Sequence, residues 1–212
     1  MPSVELDVSL FPFQEEVFHC PAQYVVYAKG RRGGGSTGAI RAALAECIER
    51  PNWTALWVDT AHKNIKKYVD REFLPALRNL PGSKKHWNGR DNVLTLWNGS
   101  YIDFGSAERP DTLEGFGYKR IIINEAGIIL WDVGLYERTL RPMAIEGEGA
   151  RWWYIGTPKG RNLFANMIDW GNDLAGHPDW RTFQHPSALN PILNKAEIEK
   201  ARIDLPDVVF RE

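Results

Sequence analysis

A glycine-rich segment, Gly30-Arg-Arg-Gly-Gly-Gly-Ser-Thr37, separates two segments of very different character, and we call it the glycine loop. Residues 24–28 are apolar, β-branched or aromatic, which predicts a buried strand. Residues 38–49 contain strong helix formers at helical apolar spacing, which predicts a helix. A strand that turns through several glycines directly into a helix restricts the chain to folds in which helices cover a sheet.

The glycine loop is close to the phosphate-binding pattern G-x-x-x-x-G-K-[ST]. Gly30 and Gly35 fall on its two glycines and Thr37 on its hydroxyl, but Ser36 stands where the lysine belongs. Backbone N–H groups of such a loop, with the start of the following helix, can bind a polyphosphate. A plain glycine-rich turn is the alternative. The candidate nucleotide-binding residues here are Lys29, Gly30, Gly33, Gly34, Gly35, Ser36, Thr37 and Gly38.

Charge and metal binding at the loop follow from the same residues. Lys29, Arg31 and Arg32 crowd its mouth and compensate for the missing lysine. The hydroxyl of Thr37 would contact Mg²⁺.

Strand-like and helix-like segments alternate along the chain, which predicts an α/β fold with a mostly parallel sheet flanked by helices. Asn98-Gly99 predicts a hairpin turn, and Leu80–Asp91 is expected to be an exposed loop. The predicted strands are 24–28, 54–59, 93–97, 101–105, 120–124 and 151–156. The predicted helices are 38–49, 62–78, 132–141, 160–170 and 195–203.

The apolar strand at 120–124 is followed by an acidic residue, Glu125. Open α/β sheets bind ligands at the carboxyl ends of their strands, so Glu125 is the predicted general base or water-positioning residue. Phosphate-hydrolysing proteins of this architecture usually have Asp before this Glu. Here Asn124 takes that place; its amide can bond to a metal-bound water but brings no negative charge. A surface carboxylate at a strand end is the alternative.

Two further segments are candidates for contact with a nucleotide. Gly156-Thr157-Pro158 follows the strand at 151–156, where the Thr157 hydroxyl could sense a phosphate or Glu125; a simple turn is the alternative. Phe13 and Gln14 precede the first strand, and a Gln amide matches the hydrogen-bonding edge of adenine while Phe13 could stack on the base. A packed amphipathic segment would explain these two residues equally well.

Composition excludes several classes of protein. The formal net charge is −1, so the chain has no overall basic character for nucleic-acid binding. Its two cysteines make neither a metal motif nor a disulfide framework, which fits a reducing compartment. The absence of a signal peptide or a membrane-length apolar run predicts an intracellular protein without a membrane partner.

Taken in order, these motifs resemble the ATPase domain of large terminase subunits of tailed phages. The resemblance covers nearly the whole chain and rests on Phe13-Gln14, the deviant glycine loop, Glu125 and the segment 156–160. It implies a RecA-like ASCE ATPase fold that uses ATP and Mg²⁺. It also implies that Arg31 or Arg32 replaces the lysine, that Glu125 is catalytic, and that Gly156, Thr157 and Pro158 couple hydrolysis to movement.

The resemblance implies partners and a larger assembly as well. Double-stranded viral DNA, a portal protein and a small terminase subunit are expected, with the chain in a homo-oligomeric ring when assembled and monomeric alone. The expected location is the host cytoplasm. Residues 1–212 would form the motor domain, with 171–212 leading toward a C-terminal nuclease domain; no nuclease activity is expected of these residues.

Two departures from the family pattern leave alternatives open. Asn124 is one, and the other is Glu114, which occupies the arginine position of an L-R-G signature. Hydrolysis is then expected to be slow unless Arg109, Arg120 or another subunit region substitutes. A superfamily-2-like helicase or translocase, or a catalytically weakened nucleotide-binding module, is the rival interpretation.

Overall fold

The computed structural model describes residues 8–110, 113, 117–144 and 149–204. The strands are β1 (Tyr24–Lys29), β2 (Thr54–Asp59), β3 (Lys85–Asn88), β4 (Val93–Leu96), β5 (Tyr101–Ser106), β6 (Arg120–Asn124), β7 (Arg151–Gly156) and β8 (Trp180–His185). The α-helices are α1 (Pro12–Phe18), α2 (Gly35–Glu49), α3 (His62–Tyr68), α4 (Leu74–Ala76), α5 (Ala126–Ile129), α6 (Val133–Leu135), α7 (Leu163–Asn172) and α8 (Lys195–Asp204). Two π-helical segments, Val69–Phe73 and Tyr136–Leu140, and three 3-10 turns, Gly82–Lys84, Pro142–Ala144 and Ser187–Leu189, complete these elements.

All eight strands form one sheet in the order β3-β4-β5-β2-β6-β7-β1-β8. The six strands from β5 to β8 in this order pair in parallel, and β3 and β4 extend the sheet antiparallel at one edge. β7 lies between β1 and β6. The expected α/β class with a mostly parallel, RecA-like sheet is confirmed. Since β1, β2, β6 and β7 run the same way, their last residues meet at one edge, which we call the carboxyl edge.

Both faces of the sheet are covered by apolar side chains. One face carries Tyr27, Trp57 and Trp153 against α2 and the segment 62–77. The other carries Val26, Ile123 and Tyr154 against α5, α7 and the segment 130–143. Strands that are buried on both faces need apolar residues at every position, which explains why β1, β2, β6 and β7 have continuous apolar sequences.

Several predicted boundaries are wrong. The expected loop 80–91 contains β3, because Trp87 packs against Phe104 at 5.4 Å and gives this polar stretch a half-buried face. The predicted helix 62–78 is α3, a π-helical segment and α4, and the one at 132–141 is α6 followed by a π-helical segment. Gly99 does form the predicted turn, with φ of +80°.

Residues 180–185, within the segment 171–212, contribute a strand to the sheet. β8 pairs in parallel with β1 along its whole length, from Tyr24 opposite Trp180 to Lys29 opposite His185. Residues 180–185 are therefore an edge strand of this domain, where a connection to a further domain was expected. Residues 205–212 lie outside the described part of the chain, and the following nuclease domain stays a prediction. Among the described helices, none has the length and apolar character needed to cross a membrane.

Candidate nucleotide-binding site

The glycine loop stands at the carboxyl edge, between the end of β1 and the start of α2. Gly34 precedes the first helical residue with φ of +77°, and Arg32 has φ of +58°. Glycine adopts this left-handed conformation without cost, whereas for Arg32 it is unusual. The helix begins at Gly35, three residues earlier than predicted, so Gly35, Ser36 and Thr37 form its first turn.

Three side chains from distant segments hold the loop by its carbonyl groups. The hydroxyl of Ser187 donates to the carbonyl of Arg31, and the Asn190 amide donates to that of Arg32 at 2.8 Å. The Gln14 amide donates to the carbonyl of Gly34, also at 2.8 Å. We call Gln14, Ser187 and Asn190 the loop clamp. The clamp fixes the loop's backbone from outside, which is the preorganisation that a phosphate site requires.

Gln14, which was predicted to contact adenine, contacts the backbone of the glycine loop. It is buried, and its side-chain oxygen accepts a hydrogen bond from the Phe11 N–H at 2.9 Å while its nitrogen bonds Gly34. Phe13 is half-buried beside it, stacked on Phe11 and edge-on to His185. Recognition of adenine by Phe13 and Gln14 stays a prediction.

Lys29, the last residue of β1, is the buried cation of the site. Its side chain is 8% exposed, and its ammonium lies 3.8 Å from the carboxylate of Glu125. A Cβ atom at Gly35 would lie 2.5 Å from Lys29 Cδ and 3.1 Å from Cε. The lysine from β1 thus passes through the space where a side chain on the helix would begin, and a larger residue at position 35 would require the Lys29 side chain to move.

Arg31 and Arg32, the predicted replacement cations, are both exposed on the loop. Their carbonyls are bound by the clamp, and it is Lys29 that lies beside Glu125. The catalytic roles predicted for the two arginines stay predictions.

The hydroxyl that reaches β6 belongs to Ser36. It donates to the Asn124 side-chain oxygen at 2.7 Å, and the hydroxyl of Tyr68 lies 3.5 Å from it. Asn124 is fully buried, and its nitrogen donates to Asp59 at 2.8 Å. Ser36 lies in the first turn of α2, since the helix begins at Gly35. The Mg²⁺ contact of Thr37 stays a prediction.

Asp59 is a site residue that was not predicted from the sequence. It ends β2, is fully buried, and also accepts hydrogen bonds from the N–H and hydroxyl of Thr60 at 2.7 and 3.2 Å. The signal that identified Glu125, an acid directly after apolar strand residues, is present here too in Ala55–Val58 and Asp59. Ser187 and Asn190 carried no such signal, since they act on a loop more than 150 residues away.

Glu125 follows β6 with φ of +62° and ψ of +41° and directly precedes α5. A non-glycine residue in this conformation is strained, and such strain is concentrated at functional sites. The carboxylate is partly exposed to a cavity of about 450 Å³. The cavity is also lined by Asp59, Thr60, Asn64, Lys67, Tyr68, Arg71, Glu72 and Ile128. Catalytic use of Glu125 stays a prediction, and it now has a defined geometry.

The turn that carries Glu125 is packed directly on the end of β7. A Cβ atom at Gly127 would lie 2.1 Å from the Thr157 carbonyl oxygen, and one at Gly156 would lie 2.7 Å from the Gly127 nitrogen. The buried amide of Asn162 donates to the Gly127 carbonyl at 2.9 Å. The predicted coupling segment, Gly156 to Pro158, is thus in backbone contact with the turn that bears the predicted catalytic carboxylate.

Arg120 is excluded as a substitute arginine by its position. It begins β6 at the opposite edge of the sheet, is 1% exposed, and bonds the Glu46 carboxylate through two nitrogen atoms. Its guanidinium also lies over the Trp153 ring, 3.9 Å from the centroid. Glu114 lies outside the described residues.

The oxygen atoms at this site fit Mg²⁺. Ser36, Asn124, Asp59 and Glu125 present a hydroxyl, an amide oxygen and carboxylates, which are the hard ligands that Mg²⁺ prefers. Among the described residues, no three His, Cys, Asp or Glu side chains group closely enough to hold a metal ion by themselves. This pattern suits an ion that is bound mainly by nucleotide phosphates and one or two protein groups.

No protein-family model matches the chain. A curated relative, the terminase large subunit of Escherichia phage T5, is 32% identical over 127 residues. The match covers 59% of this chain and 28% of the relative, so the chain corresponds to less than a third of that protein.

Solved structures share the fold. The large terminase ATPase domain of Thermus phage P74-26 has a TM-score of 0.74 at 21% identity, over 96% of this chain and 91% of that one. The large terminase of a second thermophilic bacteriophage, solved in complex with ADP, has a TM-score of 0.67 at 14% identity, over 95% and 52% of the two chains. The chain is therefore similar in sequence to a phage terminase large subunit and has the fold of the large terminase ATPase domains.

Proposed function

We propose that this chain is the ATP-hydrolysing motor domain of a phage terminase large subunit and drives double-stranded DNA into a procapsid. The observation that carries the proposal is the meeting of three elements at the carboxyl edge. The glycine loop leads into α2, Lys29 lies under the loop, and Glu125 stands 3.8 Å from the lysine ammonium. A phosphate cradle, a buried cation and a strained carboxylate together are what phosphoryl transfer to water requires.

Each residue has a role in this mechanism. The N–H groups of the loop and the start of α2 bind the phosphates, and Lys29 neutralises their charge. Ser36 and Asn124 would hold Mg²⁺, which when bound neutralises charge on the phosphate oxygens. Glu125 borders the cavity and orients the attacking water as general base. Thr157 and Gly156, in contact with the Glu125 turn, transmit the change at that turn to β7 and α7.

The large terminase of the second thermophilic bacteriophage was solved with ADP and also with ATP-γ-S, and those complexes support a nucleotide in the corresponding place here. The portal protein, the small terminase subunit and a ring of copies of this chain are the proposed partners. The host cytoplasm is the proposed location. Residues 171–212 are proposed to lead to a further domain, after β8 has completed the sheet.

The test measures ATP turnover of the chain, alone and with DNA and procapsids, against Glu125→Gln. The variant keeps the shape of the side chain and removes its charge, so turnover should fall by about 100-fold or more while ATP binding persists. Equal ATP binding with no hydrolysis by either protein under every condition would favour a nucleotide-binding module without motor activity.

A further inference from the structure

We propose that Asp59 supplies the negative charge that Asn124 lacks. The carboxylate beside the proposed Mg²⁺ position would then come from the end of β2 and not from the end of β6. The proposal rests on the proposed function and adds a residue to it. Asp59 is a positioning residue, because it orients the Asn124 amide. The Ser36 hydroxyl and the Asn124 oxygen are the groups proposed to hold Mg²⁺.

The geometry is a chain of three side chains across two strands and a helix. The Ser36 hydroxyl donates to the Asn124 oxygen at 2.7 Å, and the Asn124 nitrogen donates to the Asp59 carboxylate at 2.8 Å. The pairing of β2 with β6, which places Val58 opposite Ile123, brings the two strand ends together. Asp59 and Asn124 are both fully buried, so water does not screen the interaction.

The hydrogen bonds define the orientation of the Asn124 amide. The Asp59 carboxylate accepts from the Asn124 nitrogen and from the N–H and hydroxyl of Thr60, which fixes the carboxylate beside the amide. Because the Asn124 nitrogen is held by that carboxylate, its oxygen is turned toward Ser36 and is polarised. An amide in this arrangement presents an oxygen of greater electron density than one that is free to rotate.

The same geometry explains why position 124 is neutral. An aspartate there would place a second carboxylate oxygen about where the Asn124 nitrogen now lies, 2.8 Å from Asp59. Two buried carboxylates at that separation cannot both be ionised at low cost. One acid and one amide are therefore a matched pair, and the acid can stand on either strand. If the hydrogen bond between Asp59 and Asn124 served only to join β2 to β6, removing the Asp59 charge would leave the metal affinity unchanged.

The experiment is a cycle of four proteins: the unchanged chain, Asp59→Asn, Asn124→Asp, and the double variant in which the two are exchanged. The affinity of Mn²⁺ for each protein with ATP-γ-S bound is measured by electron paramagnetic resonance, and Tm is measured beside it. Asp59→Asn should weaken Mn²⁺ binding by about 10-fold or more, the range seen when outer partners of metal ligands are removed. The double variant, which keeps one carboxylate and one amide, should recover to within about 3-fold of the unchanged chain.

Asp103→Asn is the matched control, since Asp103 lies on β5 of the same sheet and accepts a hydrogen bond from Tyr118 at 2.8 Å. It should leave Mn²⁺ affinity unchanged. Unaltered Mn²⁺ affinity in Asp59→Asn, or no recovery in a double variant with the Tm of the unchanged chain, overturns the role of Asp59. If Asp59→Asn does not fold, the Mn²⁺ affinity of the double variant, compared with that of the unchanged chain, tests the role of Asp59. Failure of the unchanged chain to bind Mn²⁺ with nucleotide would instead contradict the proposed function.

Discussion

The side chain of Lys29 fills the space in which a side chain on residue 35 would begin. A Cβ atom at Gly35 would lie 2.5 Å from Lys29 Cδ. The phosphate-binding pattern carries its lysine on the helix, at the position that Ser36 occupies here, whereas the buried cation of this chain comes from the end of β1 and passes beside Gly35. The two residues are therefore one feature, a lysine whose origin has moved and a glycine that makes room for it.

Removing the Lys29 charge should affect catalysis more than removing either arginine of the loop. Lys29→Met keeps the apolar stem and should lower kcat/KM for ATP by about 10²- to 10³-fold, as the loss of one charge-stabilising group does. Arg31→Ala and Arg32→Ala should have smaller effects, and exposed Arg161→Ala none. Steady-state ATP hydrolysis is the measurement. If Lys29→Met is fully active and an arginine variant is inactive, then Arg31 or Arg32, and not Lys29, neutralises the phosphate charge.

Gly35→Ala should destabilise the chain by overpacking, by about 1–3 kcal/mol. The cost should fall when Lys29 is also replaced by Ala, because Cδ and Cε are then absent, although the Tyr27 ring would still lie 3.1 Å from the added Cβ atom. Urea unfolding of the two single variants and the double variant gives the coupling energy. Gly82→Ala is the control, since a Cβ atom there meets nothing within 4 Å. An equal cost of Gly35→Ala with and without Lys29 would show that the two side chains do not compete for space.

Gly156→Ala should separate hydrolysis from nucleotide binding. The added methyl group would lie 2.7 Å from the Gly127 nitrogen and would push away the turn that bears Glu125. A shift of about 1 Å in a catalytic group lowers the rate by about 100-fold, whereas the proposed phosphate-binding N–H groups belong to the glycine loop, a different segment of the chain. Single-turnover hydrolysis and ATP-γ-S binding distinguish the two quantities. Binding and turnover that fall together would mean that the whole carboxyl edge has been disturbed.

Asn190→Ala should weaken nucleotide binding through the loop clamp. It removes the donor to the Arg32 carbonyl, and a hydrogen bond of this kind contributes about 0.5–1.5 kcal/mol. The expected loss is up to about 10-fold in ATP-γ-S affinity. Asn166→Ala, on the exposed side of α7, serves for comparison in the same titration. If both variants bind alike, the clamp at Asn190 does not shape the phosphate site.

The sequence predicted the strands that are buried on both faces and missed those at the edges. β1 and β6 have continuous apolar sequences, whereas β8 mixes Trp180 and Phe183 with polar residues because it has only one neighbour. Edge position is a property of the assembled sheet and leaves no strong local pattern.

Side-chain contacts at the site were likewise predictable only where a local sequence pattern indicated them. Glu125 was recognisable because it directly follows an apolar strand. The pairing of Asp59 with Asn124 depends on which strands are neighbours and in what register, and the path of Lys29 depends on the shape of the loop. Both are consequences of tertiary structure, so reading residues in sequence order could not supply them.

The loop clamp has a mechanical consequence. Ser187 and Asn190 belong to the connection between β8 and α8, so the backbone of the glycine loop is bonded to chain that leaves the sheet. Coupling between two positions is reciprocal. If phosphate binding strengthens the clamp, then tension that pulls residues 187–190 away from the loop lowers phosphate affinity by the same free energy. Tension on residues 187–190 and phosphate binding at the glycine loop would then act on the same conformational equilibrium.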